Sequence, residues 1–405
     1  QPWYACACCP SNVVRVFPKI GRYVYAHDEG SIYVNLYVGS TAKIPVGETV
    51  VQLTQETHYP WEGDVTLTVT PAEATEFDLL LRIPRWCRGR NTPGGLYRMA
   101  PDRRIGPFVT VWINDRPAGL DGATCAEAYD RGYLRLRRLW RPGDRLRLSM
   151  PMNIRRTHAR PEVEADAGRV AIQRGPIVYC VEGVDHGGRV AHLALPPEVT
   201  LQSEHRPDLL GGVSVITGKA VAQQADSDEL KHVDFTAIPY YAWDNREGGE
   251  MAVWLPEDPA LAAPIPKPTI ASRATPSASH CWQRDTAAAL NDQIEPQSSH
   301  DLSVPRHTCW NHLGTKEWVQ YDLAAPAKVS GVEVYWFDDR ATGGCWVPDS
   351  WRVLARAGGL WQPVSGASDY GVEPDRFNRV TFDSVETTAI RLEVQLRPNR
   401  SSGVL

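Results

Sequence analysis

From Ser31 onward, apolar and polar residues alternate along most of the chain. Ile32, Val34, Leu36 and Val38 alternate with Tyr33, Asn35 and Tyr37. The same period of two recurs in Val65, Leu67 and Val69, in Phe77, Leu79, Leu81 and Ile83, and in Val109, Val111 and Ile113. Such a period sends successive side chains to opposite faces, so each run predicts a strand with one buried face. Turn chemistry separates the runs: Glu62-Gly63-Asp64, Asn114-Asp115-Arg116-Pro117, and Arg141-Pro142-Gly143-Asp144 between Leu134/Leu136 and Leu146/Leu148. Short strands joined by regular turns predict an antiparallel β-sandwich. Val170-Ala171-Ile172 to Ile177-Val178-Tyr179 reads as a buried closing strand pair, and residues 184–255 as irregular but strand-rich.

Ahead of the strands the period is helical. Pro10 suits a first helical position, where its missing N–H is not needed. Val13, Val16, Phe17, Ile20 and Val24 then recur on one face, with Pro18 expected to kink the helix and His27-Asp28-Glu29-Gly30 to end it. One such helix cannot bury its face alone and is expected to pack on helices that precede the chain. Toward the other end, the Pro- and Ala-rich stretch from Leu255 to Pro268 predicts a semi-extended linker. After it, Trp318 to Leu323, Val329 to Trp336, Trp351 to Ala355 and Ile390 to Val394 predict a second sandwich of jelly-roll character. The expected architecture is mainly β: residues 1–27 a terminal helical segment, 28–183 a β-sandwich, 184–262 a strand-rich extension and linker, and 263–405 the second sandwich.

Composition narrows the function classes. No apolar run approaches the roughly 20 residues of a membrane-spanning helix. A net charge of −5 and a pI near 6.2 give no reason to expect nucleic acid or an anionic membrane. The chain opens on Gln1 without a secretory leader and reads as an internal or C-terminal piece of a longer protein.

The nine cysteines are unevenly spread, which is no disulfide framework. Isolated ones such as Cys87, Cys125 and Cys180 read as small buried hydrophobes. Cys6-Ala7-Cys8-Cys9-Pro10 is different. Crowded thiols ordinarily serve a soft metal, usually zinc, and Cys8 lies ahead of a helix N-terminus, whose partial positive charge favours anions. One reading is a zinc-held Cys8 thiolate attacking an electrophilic carbon. The other is a structural zinc site or buried free thiols, since the spacing offers no complete set of four ligands. Seven of the 14 tryptophans lie at or beyond position 282. They are candidate sugar-stacking faces or core fillers, with residues 290–299 and 338–346 as candidate binding rims. Asn291 and Asp292 are candidate calcium ligands. The scattered histidines read as surface or hydrogen-bonded side chains, and the Arg135, Arg137, Arg138 and Arg141 run as a solvated strand edge.

Trp3-Tyr4-Ala5-Cys6-Ala7-Cys8-Cys9-Pro10-Ser11-Asn12 resembles the cysteine motif of the zinc-dependent β-L-arabinofuranosidases of glycoside hydrolase families 127 and 146. Leu81-Arg82-Ile83-Pro84-Arg85-Trp86, Val170 through Cys180, and Ile238-Pro239-Tyr240-Tyr241-Ala242-Trp243 extend the resemblance over residues 1 to about 255 in order. Ser11 stands where the family pattern has Pro. The last domain resembles a discoidin-like module. The resemblance implies an (α/α)6 catalytic barrel, of which residues 1–27 are the last part, followed by β-sandwich domains. It implies Cys8 as nucleophile, Cys8 and Cys9 as zinc ligands, and Cys6 as a near neighbour that does not ligate. The remaining ligands, a Glu and a Cys, and the acid/base Glu are implied upstream of residue 1. It further implies release of β-L-arabinofuranose from plant glycans or glycoproteins with retention, the fragment alone being inactive; the compartment stays open, since a reduced thiolate suits a bacterial cytoplasm and a zinc-protected one also a periplasm. Two rival readings are a non-catalytic carbohydrate-binding protein with a structural zinc, and a sugar isomerase or lyase on the same barrel.

Overall fold

The computed structural model describes residues 8–88, 95–99, 109–118, 129–223, 229–246, 249–296, 298–299, 304–341 and 343–405. Cys6 and the rest of the motif before Cys8, Cys125, Asp226, Asp228, Gln297 and His300 lie outside the described residues. The chain divides into two compact units, one ending at Pro264 and the other spanning Ile265–Leu405.

The first unit opens with helix α1, Cys8–Val16, then a 3₁₀ turn, Phe17–Lys19, and a last helical turn, Gly21–Val24. Pro18 sits in the 3₁₀ turn, the break its sequence position predicts. The helical segment ends sooner than the sequence suggests. Tyr25 is already extended, at φ −128° and ψ 150°, and pairs with Val34 across a strand, Tyr25–His27, where the sequence reads helix.

Two sheets face each other in the region that follows. One orders Tyr25–His27, Ser31–Val34, Thr75–Arg82, Tyr133–Trp140 and Tyr129–Asp130. The other orders Ser40–Val46, Thr49–Thr57, Asp64–Pro71, Asp144–Ser149, Thr110–Ile113 and Arg116–Pro117. The alternating residues meet between them, with Ile32, Val34, Leu67, Leu79, Leu81, Leu134, Leu146 and Trp140 fully buried. At the predicted turn, a Cβ on Gly63 would lie 1.7 Å from the Met150 carbonyl oxygen, so only glycine lets the two backbones approach.

Three features depart from the predicted pattern. Ser31–Val34 runs parallel to Thr75–Arg82, because the chain crosses the opposite sheet before it returns. The Ile32 strand stops at Val34, where the Asn35 and Leu36 amides both donate to the Val24 carbonyl. The alternation therefore slips: Tyr37 is buried, donating its hydroxyl to the Arg82 carbonyl at 2.6 Å, and Val38 is 42% exposed. The arginines of Tyr133–Trp140 are paired rather than only solvated, Arg135 with Asp78, Arg137 with Glu76 and Arg138 with Asp144.

A nine-stranded sheet completes the unit. Its path runs Gln202–Arg206, Val213–Gln223, Leu230–Pro239, Ile177–Glu182, Arg169–Arg174, Ile154–Ala159 and Tyr97–Met99, with Met251–Ala252 and Trp254–Pro256 paired on its centre. The predicted strand pair at 170–179 lies mid-sheet, so the boundary drawn at 183/184 falls between strands of one sheet. Tyr97–Met99 comes from the sandwich region and pairs with Ile154–Ala159.

The second unit is built on two long strands, Lys316–Phe337 and Phe377–Gln395, paired antiparallel with register shifts between Asp322/Ala327 and Val329/Gly331. Such irregularities let a strand bend from one layer to another. Ser350–Ala357, Leu360–Pro363, Thr275–Ala278, His307–Thr308 and Gly403–Val404 complete the sheet. Trp336, Trp351, Val353, Val380 and Leu392 lie in its core.

Candidate active site at the Cys8–Cys9 pair

Cys8 and Cys9 occupy the first two positions of α1, and both are exposed. Their Sγ atoms are 3.7 Å apart. Ser11 Oγ and Asn12 Nδ2 both donate to the Cys8 carbonyl, at 2.9 and 3.0 Å, which fixes the first turn beneath the thiols. No residue of α1 is buried: Val13, Val14 and Val16 are each more than half exposed, as are Phe17 and Tyr23 beyond it. Of the predicted apolar face only Val24 is buried.

The other described cysteines form a contrast. Cys87, Cys180, Cys309 and Cys345 are buried, as their isolation in sequence implies, and Cys281 is half-buried. Burial pushes the thiols of Cys180, Cys309 and Cys345 up to about 12 and that of Cys87 higher still, so all four are held neutral. Cys8 and Cys9 are the exposed cysteines among the described residues, and the pair in which soft-ligand chemistry is accessible.

Zinc fits this pair as far as two donors go. Thiolates on adjacent corners of a tetrahedron with Zn–S bonds of about 2.3 Å are separated by about 3.8 Å. The observed separation of 3.7 Å matches that edge. Among the described residues no group of three His, Cys, Asp or Glu side chains converges to hold a metal.

The other sequence-predicted positions fall in the second unit. Asn291 Nδ2 donates to the Ala271 and Ala274 carbonyls, which ties its loop to the Ala271–Arg273 turn, and Asp292 Oδ1 accepts from the Ile294 amide within the loop. Of the seven tryptophans, Trp336 and Trp351 are core residues. Four of the half-buried ones carry guanidinium groups over their rings: Arg284 on Trp282, Arg391 on Trp318, Arg340 and Arg400 on Trp346, and Arg356 and Arg391 on Trp361. The arginines occupy faces that the sequence alone offers as sugar platforms.

Residues 31–152 match the model of the β-L-arabinofuranosidase GH127 middle domain, and residues 154–256 match that of the glycoside hydrolase family 127 C-terminal domain. The chain belongs to glycoside hydrolase family 127. The junction of the two models at 152/154 coincides with the passage from the paired sheets to the nine-stranded sheet. A non-reducing end β-L-arabinofuranosidase of Bifidobacterium longum subsp. longum is 33% identical over 274 residues, 62% of this chain and 37% of that protein. Among solved structures, a GH127 β-arabinofuranosidase superposes with a TM-score of 0.58 at 40% identity, covering 65% of this chain and 40% of its own. A GH127 β-L-arabinofuranosidase from Geobacillus stearothermophilus T6 gives 0.55 at 43% identity, covering 64% and 38%. The chain thus spans about two-fifths of the length of these family 127 relatives.

Proposed function

We propose that this chain is part of a retaining β-L-arabinofuranosidase in which Cys8 is the nucleophile and Cys8 and Cys9 are two ligands of a zinc ion. The observation that carries this reading is the adjacent, exposed thiol pair at the start of α1, spaced as two corners of a zinc tetrahedron, in a chain of a family whose curated relative removes β-L-arabinofuranose. The remaining Glu and Cys ligands and the acid/base carboxylate are supplied by a segment upstream of residue 1, and the substrate is an arabinose-containing glycan. A bound zinc would keep both thiols deprotonated and hold them against the substrate.

The Cys8 thiolate attacks the anomeric carbon from the face opposite the leaving group. The C–O bond breaks, and the departing oxygen takes a proton from the carboxylic acid. A thioglycoside on Cys8 results. Water then attacks the same carbon, gives its proton to the carboxylate and releases the thiolate, so two inversions give retention. Ser11 and Asn12 hold the first turn so that Cys8 keeps its place through both steps. The Ile265–Leu405 unit is an appended discoidin-like module.

The test restores the chain to its full upstream reading frame and measures 4-nitrophenol release from the β-L-arabinofuranoside. Cys8→Ser abolishes release, and Cys9→Ser lowers the zinc content measured by mass spectrometry. A restored, zinc-loaded protein with no activity rejects the substrate. Activity that survives Cys8→Ser rejects the nucleophile.

A further inference from the structure

The first unit contains a cleft of about 1030 Å³ that involves neither Cys8 nor Cys9. The sandwich and the nine-stranded sheet both line it. Its volume is at the upper end of small-molecule pockets. What sets it apart is charge. Arg82, Arg85, Arg88 and Arg131 line it, and no Asp or Glu is among its described lining residues, in a chain whose net charge is −5. Arg82 and Arg85 are exposed. The Arg88 guanidinium lies beside Gly132, 3.4 Å from where a Cβ would stand.

The walls between these cations are aromatic. Tyr97 stacks on Trp254 with ring centroids 5.5 Å apart and planes 27° from parallel. That stack exists because Tyr97–Met99 leaves the sandwich region and joins the nine-stranded sheet. Tyr133 donates its hydroxyl to Asn35 Oδ1 at 2.7 Å, and the Trp86 indole donates to the Tyr59 hydroxyl at 3.3 Å. The polar edges of these rings are thereby occupied, which holds them as fixed apolar faces.

We propose that this cleft binds a carboxylate-bearing glycan segment, its uronate groups paired with Arg82 and Arg85 and its sugar rings packed on the aromatic walls. Guanidinium forks match carboxylates bidentately, and aromatic faces cover the C–H faces of sugar rings. The choice of a sugar rests on the glycosidase reading above; the choice of an acidic one rests on Arg82 and Arg85. The cleft would hold an acidic backbone while neutral side chains are trimmed elsewhere in the intact protein.

The experiment titrates the 405-residue chain calorimetrically with trigalacturonate and with its carboxyl-reduced counterpart. The acidic sugar is expected to bind at least about tenfold more tightly. The preference should shrink as NaCl rises from about 0.05 to about 0.5 M. The double substitution Arg82→Gln/Arg85→Gln, at exposed positions, should weaken binding by about tenfold or more with an unchanged melting temperature. Trp254→Phe should weaken both sugars alike. Equal binding of the two sugars, no binding of trigalacturonate, or full affinity in the double variant overturns the proposal. In the restored parent the double variant should leave 4-nitrophenol release unchanged. An inactive parent would reject the glycosidase reading, while the titration of this chain would still decide the cleft.

Discussion

Glu317 lies on the core side of its strand, between Lys316 and Trp318, where the alternation calls for an apolar residue. Its carboxylate is retained there because Ser279, Thr315 and His312 all hydrogen-bond to it, the last two at 2.6 and 2.7 Å. Burial pushes its titration up, and the three hydrogen bonds outweigh burial, so it titrates below the ordinary glutamate range. A carboxyl depressed in the folded state contributes stability above its unfolded value, near ~4.3, and that contribution is lost as pH falls through the lower folded value. Glu317→Gln should therefore cost about 1–3 kcal/mol at neutral pH and flatten the decline in melting temperature below pH ~4.3. Parallel melting curves for the two proteins would refute this role. The sequence singles out Cys8 and Cys9 because they are neighbours, and the isolated cysteines because they are not. It gives no hint of Glu317, for although His312 and Thr315 are near in sequence, the third partner, Ser279, is 38 residues away. Crowded thiols stand out in a sequence, whereas a hydrogen-bonded cluster drawn partly from another strand does not.

Elements show the same division. Alternation identifies the strands whose one face is buried, such as Asp64–Pro71 and Thr75–Arg82. It misses Gln202–Arg206, which is polar and almost wholly exposed, and Tyr97–Met99, whose three residues are too few to establish a period. It cannot see the clamp between elements at Arg246, three residues beyond the Ile238–Trp243 motif. Arg246 donates Nη1 and Nη2 to the two Asp185 carboxylate oxygens at 2.8 and 2.7 Å and Nε to Glu182 at 3.1 Å. Glu182 ends a strand, Asp185 lies in the 3₁₀ turn after it, and Asp244 donates its amide to Glu182 from the opposite segment. These carboxylates raise the Arg246 guanidinium further, the Asp185 hydrogen bonds most of all. Removing the cation leaves two carboxylates facing each other, Glu182 nearly fully buried. Arg246→Met should cost about 3–5 kcal/mol, and Arg246→Lys should recover only part because it lacks the planar fork. Urea unfolding of the three proteins measures both differences. A neutral Arg246→Met would mean that the carboxylates repartner or protonate without cost.

For the whole molecule, the instructive case is the Pro- and Ala-rich stretch between the units, which composition predicts to be one semi-extended linker. Most of it is docked. Glu257 donates its amide to the Gly168 carbonyl at 3.0 Å and pairs through its carboxylate with Arg156 at 3.1 Å and His158 at 3.0 Å. The Ala263 amide donates to the Ala191 carbonyl at 2.9 Å. On the other side, the Lys267 carbonyl accepts from Gln293, and Thr269 and Ser272 cap each other. Composition sees prolines that cannot continue a strand, but it does not see the Arg156 guanidinium, 15% exposed, that needs an anion from this segment. The effective boundary is therefore short and lies at Pro264. A chain ended after Pro264 should melt at the temperature of the corresponding transition in the 405-residue protein. A chain ended after Pro256 keeps every strand of the nine-stranded sheet but loses Glu257, leaving Arg156 on the Leu195, Pro196 and Val199 carbonyls without its carboxylate. It should be less stable by about 3 kcal/mol. Restoring residues 257–264 with Glu257→Gln separates the ion pair from the backbone contacts, because only the pair is then missing. If both truncations melt together, the stretch is a linker after all and the Arg156–Glu257 pair contributes nothing to the unit.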